Sequence, residues 1–193
     1  MIYIAYNRLG SPGMSVQGNS VEDRLLKLQL RLAQLEKQES CRENFLDFVG
    51  TMWPDFISGR HHRIIAEKLE RVARGELKRL IINMAPRHTK SEFASFLFPA
   101  WMMGKNPGMK IIQATHTTEL AVNFGRKTKN LIDSDEFKTV FPEVKLAADS
   151  KASGRWDTSR GGMYYAVGVG SNLAGRGGDL VIIDDPHSEQ TAM

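Results

Sequence analysis

A lysine and a serine, Lys90 and Ser91, follow the apolar run 81–84 and a proline, at the start of a segment with helical periodicity. In the standard phosphate-binding loop, Gly-x4-Gly-Lys-Ser/Thr, backbone N–H groups surround the nucleotide phosphates, the lysine reaches the terminal phosphate, and the hydroxyl binds magnesium. Here the two glycine positions carry Met84 and Thr89, which lack the freedom of glycine at positive φ. The pattern predicts a modified phosphate-binding loop, although a Lys-Ser pair at a strand-to-helix turn also occurs without a nucleotide.

Two consecutive carboxylates, Asp184 and Asp185, follow four apolar residues at 180–183 and precede a proline. In ATPases with a buried parallel strand ending in acid, the first acid holds magnesium through its water shell and the second orients the attacking water. A strand followed by an ordinary Asp-Asp-Pro turn is the alternative for the acids alone. Together with Lys90 and Ser91, they favour an ATPase that uses ATP and Mg²⁺.

The elements that must position these groups alternate between strands and helices, which predicts an α/β fold. Thr117 is placed to cap the helix after the second strand. The stretch 142–160 has no clear periodicity and is expected to be irregular. The predicted strands are Leu80–Met84, Lys110–Ala114, Met163–Val167 and 180–183, and the predicted helices are 61–74, 90–103 and 119–133.

The N-terminal part of the chain is predicted to contain a flexible leader at 1–19 and an amphipathic helical arm at 20–44. Ser20 and Asp23 have the spacing of a capping box, and leucines recur at three and four residues up to about position 40. The arm could contact a partner or another copy, or it could lie across its own core. Residues 45–193 are expected to form one domain.

Composition bounds the class of protein. The chain has 193 residues, 41% hydrophobic content, a net charge of +4 and a pI near 9.2, which permits a polyanionic partner without requiring one. The single cysteine, Cys41, can form no internal disulfide and fits a reducing cytoplasm. No apolar stretch approaches the length that spans a bilayer, so no membrane association is expected.

Several segments, taken in order, resemble the ATPase domain of phage terminase large subunits. In that family the loop commonly reads Pro-Pro-Arg-His-Gly-Lys-Ser, which this chain matches except at Ala85 and Thr89. The resemblance extends over about residues 45 to 188 and implies a P-loop NTPase of the additional-strand type, with a central, mostly parallel sheet flanked by helices. The segments that carry it are Gly59–Glu70, Ile81–Ser91, Phe98–Trp101 and Gly175–Asp179 with the following Asp184-Asp185-Pro186.

The resemblance also implies roles for individual side chains. Arg87 matches the family's loop arginine, and Arg176 matches an arginine that acts near the nucleotide, so either could stabilise charge on the transferred phosphate as a catalytic residue beside Asp185. Structural salt bridges are the alternative for each arginine. The loop residues His88 and Thr89 would help Lys90 to hold the phosphates.

The resemblance also implies that a histidine after the aromatic-rich stretch 45–56 contacts the nucleotide base. His61 or His62 stands at that position, and an imidazole can stack on adenine or form a hydrogen bond with its edge. Because adjacent side chains point in different directions on a helix, at most one of them is expected to do so. Ordinary histidines at the start of a helix are the alternative.

The function implied by the resemblance is ATP-driven movement of double-stranded DNA into a procapsid. The implied partners are DNA, a portal protein and a small terminase subunit, with a homo-oligomeric ring assembled at the portal and the host cytoplasm as location. The chain is expected to be truncated after the Walker B strand, which is the predicted strand 180–183 before Asp184 and Asp185, and to lack the family's nuclease domain. A helicase-like ATPase, or a truncated remnant that only binds a partner or DNA, remains as an alternative.

Overall fold

The computed structural model describes residues 20–150, 152–171 and 175–187. The chain divides into two units, Met1–Leu35 and Glu36–Met193. The predicted leader at 1–19 and residues 172–174 of the glycine-rich stretch lie outside the described residues. No helix in the described ranges is long and apolar enough to cross a membrane.

Helix α1, Val21–Glu43, begins where the sequence predicted a helix. The Ser20 hydroxyl accepts a hydrogen bond from the Asp23 backbone N–H at 3.1 Å, which is the expected capping contact. The helix continues three residues beyond the expected end near position 40. Helix α2, Phe45–Met52, then begins at Asn44, whose side chain accepts from the Asp47 N–H.

A four-stranded mixed sheet lies at the centre of the second unit. Its strands are β1 (Lys110–Thr115), β2 (Arg155–Asp157), β3 (Met163–Gly168) and β4 (Leu180–Asp184), in the order β2-β3-β1-β4. Strand β1 pairs in parallel with both β3 and β4, whereas β2 pairs antiparallel with β3. The parallel register places Thr115 beside Asp184, so β1 and β4 end together.

Helices flank this sheet, and most begin near their predicted positions. The Thr117 hydroxyl accepts from the Leu120 N–H at 3.2 Å, which confirms the predicted cap of the helix after β1. This helix, α5 (Thr118–Asp133), packs on β1 and β3. The helices beyond α2 are α3 (Arg60–Ala73), a π-helix (Glu92–Leu97), α4 (Phe98–Lys105), α5 (Thr118–Asp133) and α6 (Asp135–Val140).

The core joins α2 to the helices that follow the candidate loop. The Phe45 ring is fully buried, and its centroid lies 5.7 Å from Phe93, 5.6 Å from Phe98 and 5.4 Å from Trp101. Aromatic pairs at such distances add about 0.5–1.5 kcal/mol beyond the burial of their area. This cluster therefore anchors the π-helix, and with it the end of the candidate loop.

Two predictions of local structure are wrong. No described strand pairs with the predicted strand Leu80–Met84, although Leu80, Ile82 and Met84 pack against the core. Alternation determines which side chains face inward, but a strand also needs a neighbouring backbone in register. The stretch 142–160, expected to be irregular, contains β2, which pairs antiparallel with β3.

Candidate functional site

Three residues other than glycine have positive φ among the described residues, and all three lie at one place. They are Arg87 at 63°, Thr89 at 61° and Asp185 at 43°. This left-handed region is uncommon for residues with a side chain, and for a β-branched threonine it is an outlier. Strained backbone of this kind concentrates at ligand-binding and catalytic sites, because surrounding contacts must maintain it.

These three residues line a cavity of about 440 Å³. The loop from Met84 to Glu92 forms most of its wall, and Asp185 closes it from the end of β4. The volume falls within the range of small-ligand pockets, about 300–1,000 Å³. Successive N–H groups in a loop with alternating left- and right-handed φ form a concavity that binds anions, and this loop has positive φ at alternate residues.

Lys90 joins the loop to both acids at the end of β4. Its Nζ lies 2.6 Å from Asp185 Oδ1 and 3.4 Å from Asp184 Oδ1. The hydrogen bond to Asp185 and the negative charge of both carboxylates raise the pKa of Lys90 above its usual value. The lysine is therefore a stable cation at the cavity, which confirms that the fold brings the two predicted motifs together.

Asp184 is buried and has a second polar contact. Its side chain is only 8% exposed, and Oδ2 accepts a hydrogen bond of 2.8 Å from the hydroxyl of Ser95, which is itself fully buried. Asp185, by contrast, has a side chain that is 63% exposed to solvent. The two acids thus occupy different environments, one held rigidly inside the protein and one facing the cavity.

The π-helix that carries Ser95 has an identifiable cause. Pro99 has no N–H and its ring would collide with the carbonyl of Ser95 in a regular α-helix. The chain widens instead, and the Phe98 N–H donates to the carbonyl of Phe93 five residues earlier. Such π-segments often occur at functional sites. Here the segment follows Lys90 directly and contributes Ser95 to the buried carboxylate.

The two histidines predicted for base contact have different environments. His62 is buried, and both of its ring nitrogens form hydrogen bonds: Nδ1 accepts from the Gly59 N–H at 2.9 Å, and Nε2 lies 2.7 Å from Thr89 Oγ1. His61 lies beside it, with ring centroids 3.8 Å apart, and 6.0 Å from the ring of His88. A base contact by His62 would require its present bonds to break, whereas the contact remains a prediction for His61.

The remaining predicted residues are placed as follows. Arg87 and His88 are exposed and line the cavity, and the His88 ring Nδ1 bonds to the carbonyl of Pro86 at 2.9 Å. Ser91 also lines the cavity and is half-buried. Arg176 does not line this cavity; its guanidinium stacks over the Tyr165 ring of β3, 4.2 Å from the centroid.

Sequence analysis missed two contributors to the site, Ser95 and the contact between His62 and Thr89. Ser95 is the polar residue in the apolar run 93–98, and a lone hydroxyl among core side chains was the signal that could have identified it. The contact between His62 and Thr89 links residues far apart in the sequence, and no local spacing indicates it.

Comparison with known proteins adds no independent identification. A scan against protein-family models, a search of curated proteins and a search of solved structures each found no match.

Proposed function

We propose that this chain is a P-loop ATPase that binds MgATP between the loop 84–92 and Asp185. One observation carries the proposal: Lys90 of the loop meets Asp184, the last residue of β4, and Asp185, which follows it, at a cavity whose loop has left-handed backbone at alternate residues. A cation, a buried acid, an exposed acid and a loop suited to anions are the components that phosphoryl transfer requires.

Lys90 is the proposed ligand of the β- and γ-phosphates. It has to leave Asp185 to reach them, and the phosphate oxygens then replace the carboxylate as its partners. Asp185 faces the cavity and is released by the same movement, so it becomes available to orient a water molecule. Arg87, also at the cavity, is positioned to stabilise charge on the transferred group.

The residues present fit a magnesium ion. Mg²⁺ prefers oxygen ligands and commonly takes only one or two from the protein, with phosphates and water supplying the rest. The Ser91 hydroxyl would supply one such oxygen, and the buried Asp184 carboxylate would hold the ion through its water shell. Ser95 donates a hydrogen bond to that carboxylate and so orients it. A bound Mg²⁺ would neutralise charge that develops on the phosphate oxygens.

We further propose that the ATPase is the motor domain of a phage terminase large subunit and moves double-stranded DNA into a procapsid. This step rests on the motif order from Gly59 to Pro186 together with the site geometry. A ring of copies at a portal protein, a small terminase subunit and the bacterial cytoplasm as location belong to the same proposal. Arg176 is then the candidate for acting on an adjoining subunit's nucleotide.

The test is MgATP binding and hydrolysis by the purified chain beside Lys90→Ala. Because a hydrogen bond to a charged group contributes about 1.5–3 kcal/mol, Lys90→Ala should weaken MgATP binding by about 10- to 100-fold and abolish turnover. Lys145→Ala, which removes an exposed lysine outside the cavity, is the matched control and should behave as the wild type.

Two results separate the proposed levels of function. If the wild-type chain does not bind MgATP, or binds it equally well after Lys90→Ala, the ATPase proposal is wrong. If duplex DNA stimulates hydrolysis more than single-stranded DNA does, the packaging motor is supported. Stronger stimulation by single-stranded DNA would favour a helicase-like ATPase instead.

A further inference from the structure

Thr89 occupies the position where the standard loop has its glycine beside the lysine. Its φ of 61° is a conformation that glycine adopts without cost and that a β-branched residue avoids. Two contacts act on its hydroxyl: His62 Nε2 lies 2.7 Å from Oγ1, and the hydroxyl donates to the His88 carbonyl at 2.6 Å. Both contacts are formed while the residue has a conformation that its type disfavours.

The hydrogen bonds around His62 run in one direction. The Gly59 backbone N–H can only donate, so His62 Nδ1 is the acceptor and the proton of the neutral ring is on Nε2. Nε2–H then donates to Thr89 Oγ1, and Thr89 donates onward to the carbonyl of His88. Each hydrogen in this chain has one acceptor. A proton on Nδ1 would leave two donors, Nδ1–H and the Gly59 N–H, facing each other, and turning the Thr89 hydrogen away from the His88 carbonyl would leave two acceptors facing each other.

The position of the His62 ring is determined by the core. The ring is only 6% exposed and stacks on Phe93 with centroids 5.0 Å apart, while Phe56 contacts it edge-on at 4.8 Å. Burial, and then the neighbouring imidazole of His61, lower the pKa of His62, which favours the neutral ring that the hydrogen-bond chain needs. Core packing therefore determines the position of this α3 side chain, which contacts the loop at Thr89.

We propose that His62 is a positioning residue that holds Thr89 in the left-handed conformation, so that a hydrogen-bond chain does in this loop what glycine does in the standard loop. The inference deepens the proposed function and rests on it for its effect on nucleotide affinity. It predicts a conditional dependence: the loop needs His62 because residue 89 is a threonine. With glycine at that position, the support would no longer be necessary.

The experiment compares two substitutions that separate the bonds of His62. His62→Asn keeps an acceptor near the Gly59 N–H but is too short to donate to Thr89, whereas His62→Gln places an amide donor near the position of Nε2. Losing one net hydrogen bond should weaken MgATP binding by about threefold to tenfold in His62→Asn, measured by titration calorimetry, and less in His62→Gln. In the Thr89→Gly background the effect of His62→Asn should fall below about twofold.

A second readout does not require nucleotide binding. Trypsin can cleave after Arg87 and Lys90, so the cleavage rate of the folded protein reports how well the loop is held. We expect faster cleavage in His62→Asn than in His62→Gln, and the difference should disappear in the Thr89→Gly background. ¹⁵N NMR of the wild type should show His62 as the neutral Nε2–H tautomer.

The outcomes distinguish the inference from the proposed function. Absence of MgATP binding in every variant would refute the ATPase proposal, and the cleavage rates and the tautomer would then decide the inference alone. Equal cleavage and equal affinity in His62→Asn and His62→Gln, or an Nδ1–H tautomer, would overturn the positioning role. An effect of His62→Asn that persists unchanged with Thr89→Gly would show that His62 acts through another contact.

Discussion

Asp185→Asn is expected to tighten nucleotide binding while it greatly slows hydrolysis. In the structure Asp185 holds Lys90 at 2.6 Å, so a phosphate must compete with this carboxylate for the lysine. Replacing the carboxylate with a neutral amide removes the charge that competes. Asparagine tolerates left-handed backbone as well as aspartate does, so the φ of 43° at this position need not change.

The magnitude follows from the exposure of the two partners. The Asp185 side chain is 63% exposed and that of Lys90 is 24% exposed, so solvent screens the pair. Ion pairs of this kind contribute about 0.2–1 kcal/mol. Removing the competition should therefore tighten MgATP binding by about 1.4- to 5-fold, since 1.4 kcal/mol corresponds to a factor of ten. Turnover should fall by about 10²-fold or more if Asp185 orients the attacking water.

The assay is a titration of each variant with MgATP at low and high salt, together with a phosphate-release assay. The gain in affinity should shrink at high salt, where ions screen the competing pair in the wild type. Asp149→Asn removes the same charge at an exposed position outside the cavity and should change neither binding nor turnover. Weaker MgATP binding by Asp185→Asn at low salt would refute the competition between carboxylate and phosphate.

Three further predictions concern the supports of the site. Ser95→Ala removes the hydroxyl that donates to buried Asp184, so the free energy of unfolding measured in urea should fall by about 1–3 kcal/mol; a change below about 0.5 kcal/mol would contradict this bond. The pKa of His62 is lowered by burial and by His61. The contribution of this histidine to the free energy of unfolding is therefore complete above its ordinary pKa of 6.5 and is lost as the pH falls through the lowered pKa. Between pH 7 and 5 the melting temperature of the wild type should therefore fall more steeply than that of His62→Gln. Parallel curves for the two proteins would contradict a lowered pKa of His62. Thr117→Ala removes the cap of α5 and should cost about 0.5–2 kcal/mol in the same urea assay, whereas Thr117→Ser should retain most of it.

The sequence predicted the parts of the fold that depend on local chemistry. Ser20 and Thr117 cap the helices that their positions indicated, and the apolar run before Asp184 forms β4, which pairs in parallel with β1. The expectation that this strand is buried is wrong, because Val181 and Ile183 on one of its faces are exposed. Strand β2 was missed because three residues are too few to show alternation. Its Trp156 stacks on Tyr164 with ring centroids 5.0 Å apart, a contact that only the folded chain reveals.

In the candidate site, too, residues with a local sequence signal were predicted, whereas a contact between distant residues was not. Asp184 and Asp185 were identifiable because they stand at the end of an apolar run, which forms β4. Lys90 and Ser91 were identifiable as a Lys-Ser pair before a helical segment, although the run that precedes them pairs with no described strand. The support for Thr89 was not identifiable, because His62 reaches it from a helix that precedes the loop by many residues.

Thr89 illustrates why a departure from a motif need not mean loss of the site. Judged by its residue type alone, a threonine in place of glycine argues against close approach of the loop to phosphate. The structure retains the left-handed backbone nevertheless, and the hydroxyl that makes threonine unlike glycine is the group that His62 and the His88 carbonyl engage. The side chain that disfavours the left-handed conformation thus also forms both hydrogen bonds, so we expect the effect of Thr89 on nucleotide binding to depend on His62 as well as on residue 89 itself.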